Sequence, residues 1–357
     1  MSGFKNVVGA DHFRDFALSL AHNGSPLLSG FSAGVASDPD LLRIAGRTRT
    51  GQHAGYLLFQ SVHFLLARNP REPLAAWYPT LSAAPPPVGE PFAVFREFCL
   101  RNAAALEALL ADRTVQFTAV ERATPIMLAL AEVDARVGAA MELIEIGSSA
   151  GICLQFDRYR YDFGAGRVLG DPASPVCLQA PFRGRAPEPP AALPRIARRT
   201  GVDLAPLDPA DEDARAWIEA ALFPEWVQAR ARLRAAWELL RAAPPRIVRG
   251  DALAVLPDLV AAAQGPVCVF HSFCLSYWST EALDAFDRLL RDLSRDRILH
   301  LVSLELPADM GEGGRAERYR SGGTVAIPIM HLTYDRGDVK RRELGICNGF
   351  GHWIQWG

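Results

Sequence analysis

The stretch ELIEIGSSAGICLQFDRY, Glu142 to Tyr159, sets a turn of small residues between an apolar run and an amphipathic run. A buried strand that ends in such a turn belongs to α/β folds, and two chemistries use it. As G-x-S-x-G, residues Gly147-Ser148-Ser149-Ala150-Gly151 form the nucleophile elbow of a serine hydrolase, with Ser149 raised on a tight turn. As a cofactor loop, the same small residues let the backbone approach a nucleotide-like ligand, beside the N–H groups of a helix expected to start near Ala150.

The rest of the chain arbitrates. An elbow needs an acid and a histidine later in the sequence and a second oxyanion donor from an earlier strand. His300, His331 and His352 offer the histidine. The earlier strand is missing, because the chain before Met141 reads as helical: HAGYLLFQSVHFLLARN and PFAVFREFCLRNAAALEALLADR repeat apolar residues at three- and four-residue spacing, and TPIMLALAEVDARV opens on a Thr-Pro start signal. Pro85-Pro86-Pro87-Val88-Gly89 divides this region into two helical groups. Glu145 also suits an elbow strand poorly, since a central parallel strand is apolar throughout. Below a cofactor loop it can accept hydrogen bonds from backbone amides or from a ligand's ammonium group.

From Met141 the rhythm changes. MELIEI, RTGVDL, RIVRGD, PVCVFHSF and ILHLVSLEL are short apolar or β-branched runs, most followed by a helical pattern, which predicts a mostly parallel sheet with crossover helices. TVAIPIMHLTYD and RRELGICNGFGHWIQW, separated at Arg336-Gly337-Asp338, predict an antiparallel hairpin on the sheet edge. The expected organisation is a helical cap region over residues 1–140 and an α/β core over 141–357, interrupted by a Pro/Gly-rich insertion at about 161–199.

The ends of the runs carry the chemistry. RRTGVDLAPLD ends in Asp203, where a carboxylate can bridge a ribose diol. RIVRGDAL ends in Asp251 and Ala252, on the side where an adenine amino group would donate. PVCVFHSF ends in His271-Ser272-Phe273, at the carboxyl edge where open α/β sheets bind ligands. Each acid could also be a helix cap or turn former. The loop is one residue too short for G-x-G-x-x-G, so a dinucleotide is not expected.

LIEIGSSAG, TGVDLAP, VRGDALAVLP, VFHSFCLSYWSTEAL and ILHLVSLE resemble the successive strand-and-loop motifs of class I S-adenosylmethionine-dependent methyltransferases, from about Met141 to the C-terminus. EIGSSAGICLQFDRYRYDFG, GVDLAPLD, RGDAL and GFGHWIQWG further resemble a bacterial family of unassigned function, domain of unknown function 2332. The resemblance implies a Rossmann-like methyltransferase core, with S-adenosylmethionine as cofactor and a small-molecule methyl acceptor as partner. It gives Glu145, Gly147, Ser148, Ser149 and Gly151 the loop role, Asp203 the ribose, Asp251 and Ala252 the adenine side, and His271, Ser272 and Phe273 the meeting point of donor and acceptor. His271 becomes the candidate base and Tyr277 a candidate positioning group. Ser149 departs from the G-x-G-x-G loop, and Asp171 rivals Asp203 because the insertion separates the loop from the second strand. A non-catalytic protein binding S-adenosylmethionine or another adenine ligand is the alternative, and the Ser149 hydrolase the second.

Composition narrows the partners. Across 357 residues, 38 basic and 40 acidic side chains leave a formal net charge of -2, so no global field attracts nucleic acid or an anionic membrane. The segment MSGFKNVVGADHFRDF lacks a signal-peptide core, and the six cysteines form no C-x-x-C pair, so a reducing, cytoplasmic setting is expected. Arg158 could pair with a carboxylate of donor or substrate, or simply with Asp157 or Asp162. Gln116, Thr118, Glu121 and Arg122 form a polar cluster that could touch substrate from the cap. WVQARARLRAAWELLRAAPPR reads as an amphipathic helix with a solvated basic face. His352 could reach the cleft from the C-terminal strand, and Trp278 could wall an acceptor.

Overall fold

The computed structural model describes residues 8–84, 87–179, 182–306, 320–321 and 324–357. Pro85 and Pro86 of the expected interhelical break lie outside the described residues.

Among the described residues seven α-helices come first, α1 Ala10–His22, α2 Pro26–Val35, α3 Pro39–Ala45, α4 Ala54–Arg68, α5 Pro91–Arg101, α6 Ala103–Asp112 and α7 Ala123–Val137. The apolar pattern from Pro91 to Arg113 is two helices rather than one, because Asn102 leaves helical geometry and its side chain bonds Phe98 O at 2.9 Å. No strand precedes Met141 among the described residues.

The second half follows as β1 Met141–Ile146, β2 Arg160–Asp162, β3 Val168–Leu169, β4 Cys177–Gln179, β5 Ile196–Asp203, α8 Glu212–Ala221, α9 Val227–Ala242, β6 Arg246–Arg249, α10 Ala252–Ala261, β7 Val267–Ser272, α11 Thr280–Leu293, β8 Leu299–Leu304, β9 Arg320–Ser321, β10 Thr324–Asp335, β11 Asp338–Asn348 and β12 Ile354–Trp356. The main sheet runs β12-β11-β10-β8-β7-β1-β5-β6, with β9 paired to β10. Strands β6, β5, β1, β7 and β8 are mutually parallel; β10, β11 and β12 add antiparallel partners. The fold is α/β with a Rossmann-like order: from β1 the chain fills one side through β5 and β6, then crosses back to β7 and β8. The order therefore reverses between β1 and β7, where such sheets open a crevice at their carboxyl ends.

All six residues of β1 are buried, as a central parallel strand requires. Its side chains alternate between two cores. Met141 and Leu143 join α7 and α9 on one face; Ile144 and Ile146 join Phe286, Leu290 and Leu256 on the other. The cap has its own core around Phe13, Phe31, Leu57 and Phe95, and it captures Trp217, Ala220 and Phe223 from the second half. Conversely α7 packs with the sheet. Packing therefore crosses residue 140 in both directions.

Three expectations are corrected. No α-helix starts near Ala150: the chain makes a 3-10 turn over Cys153–Arg158, because Gly151 takes φ +84° and Tyr159 Oη claims Ile152 O at 2.7 Å. The insertion folds, into a three-stranded sheet ordered β3-β2-β4, and ends before β5 begins at Ile196. The last apolar run is two strands, parted at Gly349-Phe350-Gly351, where Gly351 takes φ +81°.

Candidate functional site

The loop after β1 is held by its neighbours rather than by a helix. Gly147 N donates to Val202 O at 2.9 Å and Ser149 N to Asp203 Oδ2 at 2.8 Å. Gly147 and Gly151 have φ +72° and +84°, which glycine adopts without cost. A Cβ on Gly147 would stand 2.5 Å from Cys274 Sγ, and one on Gly151 2.6 Å from Pro245 Cγ. Glycine here thus lets the loop after β7 close on the loop after β1.

The carboxyl ends of β1, β5, β6 and β7 open into one cavity of about 1130 Å³, roofed by the cap. Glu145, Gly147, Ser148, Ser149, Asp203, Asp251, Ala252, Ser272, Phe273 and Tyr277 all line it; Gly151 does not, although its neighbour Ala150 does. Asp203 accepts Ser149 N on Oδ2 and Ala205 N on Oδ1, both at 2.8 Å, so each oxygen keeps a lone pair for a ligand. Asp251 caps α10 through Leu253 N at 2.8 Å while lining the cavity. The capping and ligand-facing positions coincide. Asp171 is exposed, closes its own turn with Ala173 N and does not line the cavity, so Asp203 is left without its rival.

An acid and a guanidinium face this space, and among the described residues no ion pair joins them. Glu145 is buried and its Oε2 has no hydrogen-bond partner. Burial, then repulsion from Asp203, raises its pKa well above the usual range, while Arg122 and the Leu154 amide offset only part of the rise. Arg122 is buried too, and burial lowers its pKa. Among the described residues its side chain makes one hydrogen bond, from Nε to Gly349 O at 2.9 Å, and its guanidinium carbon lies 4.5 Å from the Phe273 ring centroid and 5.7 Å from that of Phe117.

The tip of β7 differs from expectation. His271 is buried behind the cavity wall, against Phe286, and does not line the cavity. Its Nδ1 donates to Glu305 Oε1 at 3.0 Å. The reason is strand alternation: consecutive side chains at the tip point to opposite faces, so His271 turns away. As candidate base it is withdrawn. Glu305, which follows β8, also accepts Cys274 N, Leu275 N, Ser276 N and Ser276 Oγ at 2.6–3.2 Å. Burial alone would raise its pKa, but the bonds from His271, Ser276 and the Leu275 amide outweigh burial and hold it below the usual value. One carboxylate thus organises the loop bearing Phe273 and Tyr277. Phe273 itself takes φ +53°.

Among the described residues no base is hydrogen-bonded to Ser149. Its Oγ is buried without a partner, and His300, His331 and His352 do not line the cavity. His300 Nδ1 lies 3.1 Å from His331 Nε2, and His352 packs 4.3 Å from the Trp226 ring centroid. The Ser149 φ of +53° resembles an elbow, but geometry without a base does not make a nucleophile.

The sequence matches, over residues 10–356, the family described as "Uncharacterized protein conserved in bacteria (DUF2332)". The chain belongs to this family. No curated protein matches it. Among solved structures, a crystal structure of Streptomyces venezuelae DesVI aligns with 66% of this chain and 77% of its own, at 13% identity and a TM-score of 0.25. A superposition that loose bears on neither fold nor function.

For this member of the family, the cap contributes residues that sequence patterns did not single out: His12, Phe16, His53 and Tyr56 line the cavity. They read as ordinary members of amphipathic helices. Of the polar cluster before α7, Gln116, Thr118 and Arg122 line the cavity, whereas Glu121 turns outward to Arg232 at 2.9 Å. Arg158 does not line it; Asp157 is instead paired with Arg199. Glu305 was legible only as an acid ending an apolar run, the same pattern as Glu145. Among the described residues no cluster could hold a metal ion, and no helix is long and apolar enough to cross a membrane.

Proposed function

We propose that this cavity binds S-adenosylmethionine and directs its methyl group to an O or N nucleophile of a small molecule. The observation that carries the reading is the row of acids at successive strand ends, Glu145 on β1, Asp203 on β5 and Asp251 after β6, lining one cavity at the reversal of the sheet. They fit the cofactor by chemistry. The unpartnered Oε2 of buried Glu145 suits an ammonium group, the spare lone pairs of Asp203 suit a diol, and Asp251 with the Ala252 backbone suits an adenine edge. The volume exceeds the roughly 300–1,000 Å³ of an ordinary ligand pocket, which favours two occupants.

When bound, S-adenosylmethionine supplies an electrophilic methyl group, its S–C bond breaking with the electron pair left on sulfur as an acceptor lone pair forms the new bond. The chain's part is positioning, which alone contributes up to several kcal/mol, about 7–11 in the best-aligned cases. Asp203 ties the loop to β5 and fixes the donor side. Glu305 holds the Phe273–Tyr277 loop where donor and acceptor meet. Tyr56 and Tyr277 are the hydroxyls on the acceptor side.

The test is calorimetric titration with S-adenosylmethionine and S-adenosylhomocysteine, repeated on Asp203→Ala. Binding at one site, lost in the variant, supports the assignment; a folded wild-type protein that binds neither compound sinks it. Binding with no methylated product across an acceptor screen returns the protein to the non-catalytic alternative.

A further inference from the structure

The cavity walls carry one question beyond the cofactor. Four carboxylates line the cavity, Asp15, Glu145, Asp203 and Asp251, but Arg122 is the one lysine or arginine among the described lining residues. A buried guanidinium is costly unless it meets an anion. No carboxylate among the described residues stands within ion-pair distance of Arg122, and only its Nε is engaged, by Gly349 O. The Phe273 and Phe117 ring centroids lie 4.5 and 5.7 Å from the guanidinium carbon, and the two terminal nitrogens, with no hydrogen-bond partner among the described residues, suit a planar, two-oxygen partner.

Position assigns that partner to the acceptor side. Arg122 precedes α7 in the cap, makes no hydrogen bond to the loop after β1, and stacks on Phe273 at the β7 tip, where donor and acceptor would meet. The surrounding wall is apolar and aromatic, with Phe16, Tyr56, Trp278 and Phe350. We infer that the methyl acceptor is a monocarboxylic acid with an apolar or aromatic body, and that Arg122 holds its carboxylate. The inference rests on the proposed methyl transfer. The carboxylate is the handle rather than the nucleophile, since charge-assisted bonding to a guanidinium draws charge from both oxygens and weakens them as nucleophiles. The methylated atom is a second O or N on the body.

The experiment is titration of the protein, saturated with S-adenosylhomocysteine, with phenylacetate, 4-hydroxybenzoate, cinnamate and hexanoate, each compared with its primary amide. At least one acid is expected to bind about tenfold or more above its amide, the factor that about 1.4 kcal/mol gives. Arg122→Met is expected to erase that preference while S-adenosylhomocysteine affinity stays within about twofold, well short of one contact's worth. Arg122→Lys, which keeps the charge and loses the fork, serves if Arg122→Met does not fold, and is expected to retain part of the preference. Two results overturn the inference: no acid preferred over its amide by the wild-type protein, or a tenfold loss of S-adenosylhomocysteine affinity in Arg122→Met, which would assign the guanidinium to the cofactor's own carboxylate. A wild-type protein that binds no S-adenosylhomocysteine sinks the cofactor reading instead, and the acid and amide pairs titrated without it still test Arg122.

Discussion

His271 Nδ1 and Glu305 Oε1 lie 3.0 Å apart behind the wall of the cavity, and the same carboxylate takes up the amides of Cys274, Leu275 and Ser276. Glu305 therefore ties three consecutive residues, Cys274, Leu275 and Ser276, to His271 through one carboxylate. Glu305→Ala is expected to destabilise the protein by about 2–4 kcal/mol, since it orphans several buried donors at once. Ligand affinity should fall further than stability alone accounts for, because Phe273 and Tyr277 ride on that loop. Urea denaturation beside calorimetric titration checks both; an unchanged urea midpoint contradicts the assigned role.

Ser149 occupies a left-handed conformation, φ +53°, at the centre of the loop. Glycine accepts this without the Cβ penalty, so Ser149→Gly should raise stability by about 0.5–1 kcal/mol, while Ser149→Val should cost about 1–2 kcal/mol. Ligand binding should survive the change to glycine, since the loop is tied to Asp203 through the backbone N of residue 149. Thermal melts with and without S-adenosylhomocysteine decide this. A fluorophosphonate probe should leave Ser149 unlabelled.

The acid limb of stability should come partly from the cap. His53 accepts Tyr56 N on Nδ1 at 3.2 Å, and burial, with His12 nearby, pushes its pKa from 6.5 down to about 3. Burial and Arg230 push His63 down to about 3 as well. Between these values and 6.5 the unfolded chain binds more protons than the folded one, so stability is full above about pH 6.5 and falls as pH drops towards 3. Glu305, held below its usual value, adds to the fall below about pH 4.5. His53→Asn keeps an N-cap and should flatten the slope between pH 6 and 4 by about one proton, or roughly 1.4 kcal/mol per pH unit. Urea midpoints across that range would refute this if both proteins trace the same curve.

Glu145 makes the opposite pH statement. Its pKa is raised well above 4.5 in the folded protein, so its contribution to stability is present below about pH 4.5 and is lost as pH rises through the folded value. A cationic ligand group favours the carboxylate, so binding is expected to be accompanied by proton release. Titrations in buffers of different ionisation enthalpy measure it; Glu145→Gln should abolish the release and weaken binding by about tenfold, the loss of one charged contact. Equal proton release by wild type and variant would remove Glu145 from the ligand site.

Most of the architecture was legible in the order of residues. The switch from three- and four-residue spacing to short apolar runs at Met141 marks where the helices end and the sheet begins, because burial on one helical stripe and burial on both faces of a strand leave different periods. The loop and the acids at Asp203 and Asp251 were legible for the same reason: strand ends of a parallel sheet share one edge, so their order in sequence already gathers them. What lies one residue further along was not. Strand alternation separates His271, behind the wall, from Ser272, which lines the cavity, and the left-handed backbone of Phe273, φ +53°, re-aims that ring into the cavity just past the strand end; a period-two pattern does not show where the strand bends into its loop. Gly151 and the Tyr159 hydroxyl replace the expected helix near Ala150 with a 3-10 turn, a competition settled by contacts 7 residues apart. Arg122, His12, His53 and Tyr56 meet the strand tips only because the cap folds back over the sheet and shares Trp217 and α7 with it. Sequence determined the sheet and its row of acids, since local periodicity and chain order suffice for both. Tertiary structure decided the roof, the uncompensated guanidinium and the role of Glu305, because these depend on non-local packing that leaves no periodic trace in the chain.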